Sequence, residues 1–257
     1  MKRFEDKVAV ITGAAQGIGQ AIALRFAQEG AQVALLDLQD TSPAVALCQA
    51  AGSPARGFAV NVSQKSSIAG AVDSIVAEWG KIDIWVNNAG IFDNTPLTEL
   101  SEERWDKVAD VNYKSMFLCA QLAAPHMVAQ RWGRIINISS MAGKVAFPDE
   151  VAYCSTKSAV LGLTRALAIE LGPHGITANA ICPGSIQTEM LKSTHQSLAD
   201  RHNTTLAAWE ADVLKTIPAG RFGQPADVAA LAAFLASEDA AYINAQAINI
   251  DGGVVFY

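Results

Sequence analysis

Apolar residues in this chain gather into seven short runs, separated by longer segments in which they recur every three or four positions. The runs span Lys7 to Thr12, Gln32 to Asp37, Gly57 to Asn61, Ile82 to Asn87, Arg134 to Ser139, Ile176 to Cys182 and Gln246 to Ile250. Several are almost unbroken, Val33-Ala34-Leu35-Leu36 for example, and such a run marks a strand covered on both faces. Between them Ile18, Ile22 and Phe26 repeat every four residues, and Ile68, Val72 and Ile75 at four and three, as on helices that bury one stripe. Regular alternation of strand and helix predicts an α/β fold, a doubly wound parallel sheet with helices on both faces. With no repeat, low-complexity tract or linker, residues 1–257 read as a single domain.

One segment departs from the rhythm. Residues 187–217 are polar and helix-prone, and too long for an ordinary connection between the sixth strand and the helix starting at Pro225. Met190, Leu191, His195, His202 and Trp209 suit a helical flap over a pocket.

Composition narrows the partners. At 51% hydrophobic and 17% charged the chain can bury a large core, and 19 Lys+Arg against 25 Asp+Glu leaves −6, the wrong sign for nucleic acid or an anionic membrane surface. The longest uncharged stretch, Val8 to Leu24, is interrupted by Gly13, Gly17 and Gly19, so no membrane span is expected. Glu5, Asp6 and Lys7 stand where a signal peptide would be apolar, which points to the cytoplasm. Cys48, Cys119, Cys154 and Cys182 lie far apart and are expected to be reduced, mostly buried thiols; His195 and His202 have no third ligand nearby, and no metal is expected.

Candidate chemistry begins after the first strand. Thr12-Gly13-Ala14-Ala15-Gln16-Gly17-Ile18-Gly19 leads into the Ile18/Ile22/Phe26 helix, and glycines at a strand-to-helix turn let the backbone approach a bulky anion at the helix N-terminus. A dinucleotide pyrophosphate fits there. Asp37 closes the second strand, where a carboxylate can accept from both adenosine ribose hydroxyls but would repel a 2′-phosphate. Leu38 and Gln16 offer no cation to offset that repulsion, so the expected cofactor is NAD rather than NADP.

These residues, together with Asn87-Asn88-Ala89-Gly90, Asn112 in the long fifth helix, Ser140, Tyr153-x-x-x-Lys157 and Pro183-Gly184 followed by Thr188, resemble the short-chain dehydrogenase/reductase family over essentially the whole chain. The resemblance implies a Rossmann-type fold and a general acid/base in Tyr153. It further implies that Ser140 positions the substrate oxygen, that Lys157 binds the nicotinamide ribose and lowers the tyrosine pKa, and that Asn112 holds a proton-relay water. The physics is compatible: four residues apart on a helix, Tyr153 and Lys157 point the same way. A tyrosine normally titrates at pH ~10, so working at neutral pH calls for roughly 4 kcal/mol of phenolate stabilisation, which a cation about 4 Å away at an effective dielectric of ~20 supplies. By the same resemblance Asn61 and Val62 flank adenine, Asn61 standing where the family usually has Asp. Asn88, Ala89 and Gly90 lie along the cofactor, and Ile186 and Thr188 meet its carboxamide. Ser115 replaces a glycine often found three residues after the asparagine.

Three functions compete at this level. One is NAD-dependent hydride transfer to or from a small polar secondary alcohol or ketone, with polyols or sugar alcohols favoured. The second is reduction of a 3-oxoacyl thioester, which calls for NADPH and a basic dock for an acidic carrier; Leu171-Gly172-Pro173-His174-Gly175 offers only a histidine for that dock. The third is a non-catalytic nucleotide-binding sensor, disfavoured because all four catalytic-type residues are present. Ala142, Phe147, Met190 and Trp209, with Phe92 and Gly184, are candidate walls of the substrate pocket, while Asp149 and Glu150 near its mouth either bind hydroxyls or sit in solvent. A homotetramer is implied by the resemblance, and the apolar end Val254-Val255-Phe256-Tyr257 would suit a buried subunit contact.

Overall fold

Every one of the seven apolar runs becomes a strand in the computed structural model, which describes residues 2–257. The strands are β1 (Val8–Thr12), β2 (Gln32–Asp37), β3 (Ala55–Ala59), β4 (Ile84–Asn87), β5 (Gly133–Ile138), β6 (Ile176–Pro183) and β7 (Ala247–Ile250). They form one parallel sheet in the order β3-β2-β1-β4-β5-β6-β7. Among the described residues nine α-helices connect and follow them: α1 (Gly17–Gln28), α2 (Ser42–Ala50), α3 (Lys65–Trp79), α4 (Glu102–Ala109), α5 (Ser115–Gln130), α6 (Val151–Leu171), α7 (Glu189–Arg201), α8 (Leu206–Lys215) and α9 (Pro225–Ala236).

Alternation along each strand divides the core in two. Ala9, Ile11, Val33 and Leu35 pack with Ile22 and Phe26 of α1 and the alanine-rich face of α9, whereas Val8, Val10, Ala34 and Leu36 pack with Ile68, Val72 and Ile75 of α3 and with α5. That is the doubly wound α/β arrangement expected from the pattern. Its order reverses between β1 and β4, so the loops after these two strands open a crevice at the carboxyl end of the sheet.

Two local expectations shift. Strand β3 lies two residues earlier than the apolar pattern placed it, because pairing with β2 runs from Val33–Ala55 to Asp37–Ala59 and fixes the register of a partly exposed edge strand. Asn112 sits not in a regular helix but in a π turn, Asp110–Lys114, between α4 and α5. An i→i+5 turn upsets the usual pairing of carbonyls, and Ser115 Oγ donates to the Val111 carbonyl at 2.6 Å. The residue that departs from the family glycine thus supports the bulge.

A buried polar chain fixes α6 against the sheet. Trp85 Nε1 donates to Asn87 Oδ1 at 2.8 Å, Asn87 Nδ2 to Asn137 Oδ1 at 2.8 Å, and Asn137 Nδ2 to Thr164 Oγ1 at 2.9 Å. Each link is sheltered from water, where breaking it would strand a polar group. No helix among the described residues is long and apolar enough to cross a membrane.

Candidate functional site

The glycine loop is welded to the segment after β4. Thr12 Oγ1 accepts from the Asn88 and Ala89 N–H groups at 3.0 and 3.1 Å, and Asn88 Nδ2 donates back to the Thr12 and Gly13 carbonyls at 3.0 and 2.9 Å. This closeness demands glycine. Gly13 holds φ +64°, and a Cβ there would fall 2.8 Å from Ala89 Cα; one on Gly19 would fall 2.6 Å from Asn88 Nδ2 and nearer still to the Gly13 carbonyl. At the start of α1, Gln16 is extended and its side chain makes no capping bond, leaving the first N–H groups of the helix to an outside acceptor. Asp37 Oδ2 accepts from Ala15 N–H at 2.9 Å and Oδ1 from Gln39 N–H at 3.0 Å, so the carboxylate braces the loop while lining the crevice beside exposed Leu38. A dinucleotide fits this cradle: bare helix N–H groups for a pyrophosphate, and an acceptor at the end of β2 for ribose hydroxyls.

Asn61 is held by its own turn. Its Oδ1 accepts from both Ser63 N–H (3.1 Å) and Ser63 Oγ (2.8 Å), capping the turn into α3, so that oxygen is already engaged within the protein. The residue still lines the crevice with Val62.

At the other end of the crevice, Ser140 opens a short turn whose Ala142 N–H donates to Ser140 Oγ at 3.1 Å. Tyr153 stands in the first turn of α6 and Lys157 one turn on, with Lys157 Nζ donating to the Ile138 carbonyl at 2.9 Å and lying 5.6 Å from the Tyr153 ring centre. Lys157 is only 4% exposed. Burial pulls its ammonium down from 10.5 to about 8 and pushes the Tyr153 phenol up to about 12; a hydrogen bond with Ser140 opposes the latter, while Glu150 adds to it. Lys157 thus stands one turn from the phenol, but in the protein alone desolvation dominates and the phenol holds its proton. Phe92 packs edge-on against Tyr153 at 4.9 Å between ring centres.

Asn112 is fully buried and outside the cavity wall. Its Oδ1 accepts from Ile91 N–H and its Nδ2 donates to the Ile91 carbonyl, both at 2.8 Å, with Thr156 Oγ1 at 3.4 Å. The side chain clamps the strand-end segment carrying Gly90, Ile91 and Phe92 to the foot of α6.

Residues 187–217 form the helical pair α7–α8 over the cavity. Ile186 is buried and bridges Gly223, while Thr188 caps α7 by accepting from Leu191 N–H at 3.2 Å. Thr188 Cγ2 also lies 3.3 Å from the place a Gly17 side chain would take, so the flap starts against the glycine loop. Pro183, Gly184, Ala142, Phe147, Met190 and Trp209 all line the same cavity, of about 1220 Å³. Gly13, Gln16, Gly17, Ile18, Gly90, Ser140, Tyr153 and Lys157 line it too; Gly19 lies beneath the loop. His195 points inward with Nδ1 3.5 Å from Glu210 Oε1, its pKa lowered by burial, and His202 stacks on Trp209 at 5.1 Å. The two histidines thus serve different neighbours. Arg201, at the end of α7, pairs with Asp149 at 2.8 Å and donates to the Asn94 carbonyl at 2.9 Å. Thr194, Leu198 and Val213 complete the wall without having been singled out, although the spacing of Leu191, Thr194 and Leu198 at three and four was readable.

The chain has relatives along nearly its whole length. The enoyl-(acyl carrier protein) reductase family model matches residues 13–255. A 3-oxoacyl-(acyl-carrier-protein) reductase FabG from Thermotoga maritima is 40% identical over 98% of this chain and 99% of its own length. A galactitol 2-dehydrogenase from Agrobacterium fabrum is likewise 40% identical, over 98% of both chains. Among solved structures, an NAD+-bound xylitol dehydrogenase has a TM-score of 0.94 and 31% identity, with 98% of this chain and 100% of that one covered.

Proposed function

The chain belongs to the short-chain dehydrogenase/reductase family, an oxidoreductase acting on alcohol or ketone groups, and from that premise we propose that it is an NAD-dependent dehydrogenase of small polar secondary alcohols, polyols foremost. The carrying observation is the convergence of Ser140, Tyr153 and Lys157 on the cavity that the glycine loop and Asp37 also line.

Bound nicotinamide would supply the hydride-accepting carbon. Around it, Gly13, Gln16, Gly17, Ile18 and Gly19 form the anion-binding turn, and Asp37 with Leu38 favours an unphosphorylated ribose. Asn61, Val62, Asn88, Ala89 and Gly90 flank the dinucleotide, and Pro183, Gly184, Ile186 and Thr188 meet its carboxamide end. Ser140 orients the substrate oxygen and Tyr153 exchanges its proton. Lys157 holds the nicotinamide ribose and, once a positively charged ring lies nearby, shares with it the work of stabilising the phenolate. Asn112 contributes chiefly as the clamp on Ile91, leaving one lone pair of Oδ1 for the relay water. The α7–α8 flap excludes water, and Ala142, Phe147, Met190 and Trp209 contact substrate.

Similarity to the Thermotoga reductase supports a second reading, 3-oxoacyl thioester reduction. Asp37, without a cation at Gln16 or Leu38, weighs against the NADPH it calls for. Steady-state turnover of a polyol panel with NAD, beside 3-oxoacyl thioesters with NADPH, separates the two; Tyr153→Phe should lower kcat by about 10²–10⁴ with dinucleotide affinity retained. Preserved turnover in that variant would overturn the assignment.

We also place the chain in a homotetramer. Phe117 of α5 and Ile169 of α6 are exposed, and at the chain end Asn249 and Lys144 hold the backbone while Phe256 and Tyr257 stand 88% and 73% exposed. Apolar surface of this kind is readily covered by a second copy, and light scattering on the purified protein tests it.

A further inference from the structure

The cavity wall beside Tyr153 carries a carboxyl that neither the fold nor the proposed chemistry uses. Glu150 immediately precedes α6, and its carboxyl makes no capping bond to the first N–H groups of the helix. Among the described residues no cation pairs with it; the neighbouring Asp149, at φ +63°, takes the Arg201 guanidinium instead. The Cys154 thiol, a weak donor, reaches the Glu150 Oε2 at 4.0 Å. Glu150 is half-buried, stands three residues before Tyr153, and lines the same cavity as Phe92, Phe147 and Met190. A partly dry carboxyl that no cation pairs and only a weak thiol donor reaches keeps acceptor capacity for a ligand.

We propose that Glu150 is a specificity-determining residue, hydrogen-bonding a second hydroxyl of a substrate whose reacting oxygen sits on Ser140 and Tyr153, so that diols and polyols are preferred to mono-alcohols. The proposal rests on the dehydrogenase reading above and names the residue that would give it its substrate class. Burial holds the Glu150 pKa up at about 7, so near neutrality the group both donates and accepts, which suits a hydroxyl better than an ammonium. An anionic substrate would meet its negative form at unfavourable cost.

The test is the ratio of kcat/KM for a pentitol to that for cyclohexanol, measured with NAD on the full-length protein. In the wild type the ratio exceeds one. Glu150→Ala lowers it at least fivefold, and Glu150→Gln, which keeps an acceptor and a donor, restores it to within twofold of wild type. Should the alanine variant fail to fold, Glu150→Asp, which withdraws the carboxyl by one methylene, carries the same comparison. A wild-type ratio below one, or a change under fivefold, overturns the role of Glu150 while leaving the dehydrogenase reading intact if Tyr153→Phe abolishes turnover of both alcohols. A wild type that oxidises neither alcohol overturns both.

Discussion

Replacing Lys157 by Met tests the electrostatics of the site without any substrate. Lys157 is 4% exposed, its ammonium donates to the Ile138 carbonyl, and burial draws its pKa from 10.5 to about 8. Because the depressed value belongs to the folded state, the unfolded chain binds the proton more tightly. The penalty on stability is absent above pH 10.5, grows as pH falls, and is complete below pH 8. At neutral pH it amounts to about 3 kcal/mol. Methionine removes that penalty but strands the Ile138 carbonyl at a cost of about 1–3 kcal/mol, so the variant should be at least as stable as wild type at pH 7 although its catalysis is crippled. Urea unfolding at pH 7 and pH 9.5, at one protomer concentration, gives the cleaner quantity. Over that interval the wild type should gain about 2 kcal/mol relative to the variant as Lys157 sheds its proton. Buried Cys48, whose thiol is held up at about 11, opposes this trend in both proteins and cancels in the difference. Parallel pH dependences for the two would refute the account of Lys157 as a buried, desolvated cation.

Gly19→Ala should abolish dinucleotide binding in equilibrium titration and lower Tm by several degrees, since the added methyl would overlap the Gly13 carbonyl and lie 2.6 Å from Asn88 Nδ2. Asp37→Ala should raise KM for NAD by about tenfold and narrow its advantage over NADP, because the carboxylate loses both the ribose hydroxyls and the Ala15 N–H it braces. Asn112→Ala should cost about 1–3 kcal/mol in chemical denaturation by stranding the Ile91 N–H and carbonyl, and Asn112→Asp should not restore stability, since a carboxylate cannot donate to Ile91.

Sequence alone determined the strands and the helix stripes, because alternation and the 3.6-residue period are set by near neighbours and report burial directly. It also determined the glycine loop, Asp37 and the Tyr153-x-x-x-Lys157 pair, whose chemistry depends on residue type at short spacing. Tertiary structure decided what depends on distant partners. Edge strand β3 took its register from β2 rather than from its own side chains. Asn61 turned its oxygen to Ser63, and Asn112 spent its amide on Ile91, twenty-one residues away. Asp149 and Glu150 are indistinguishable as neighbours in the chain, yet Arg201 from the flap claims one and leaves the other facing the cavity. The pKa of Tyr153 was the furthest from local reach: the favourable cation sits one helical turn away, but the opposing desolvation sums over every residue that excludes water from the ring.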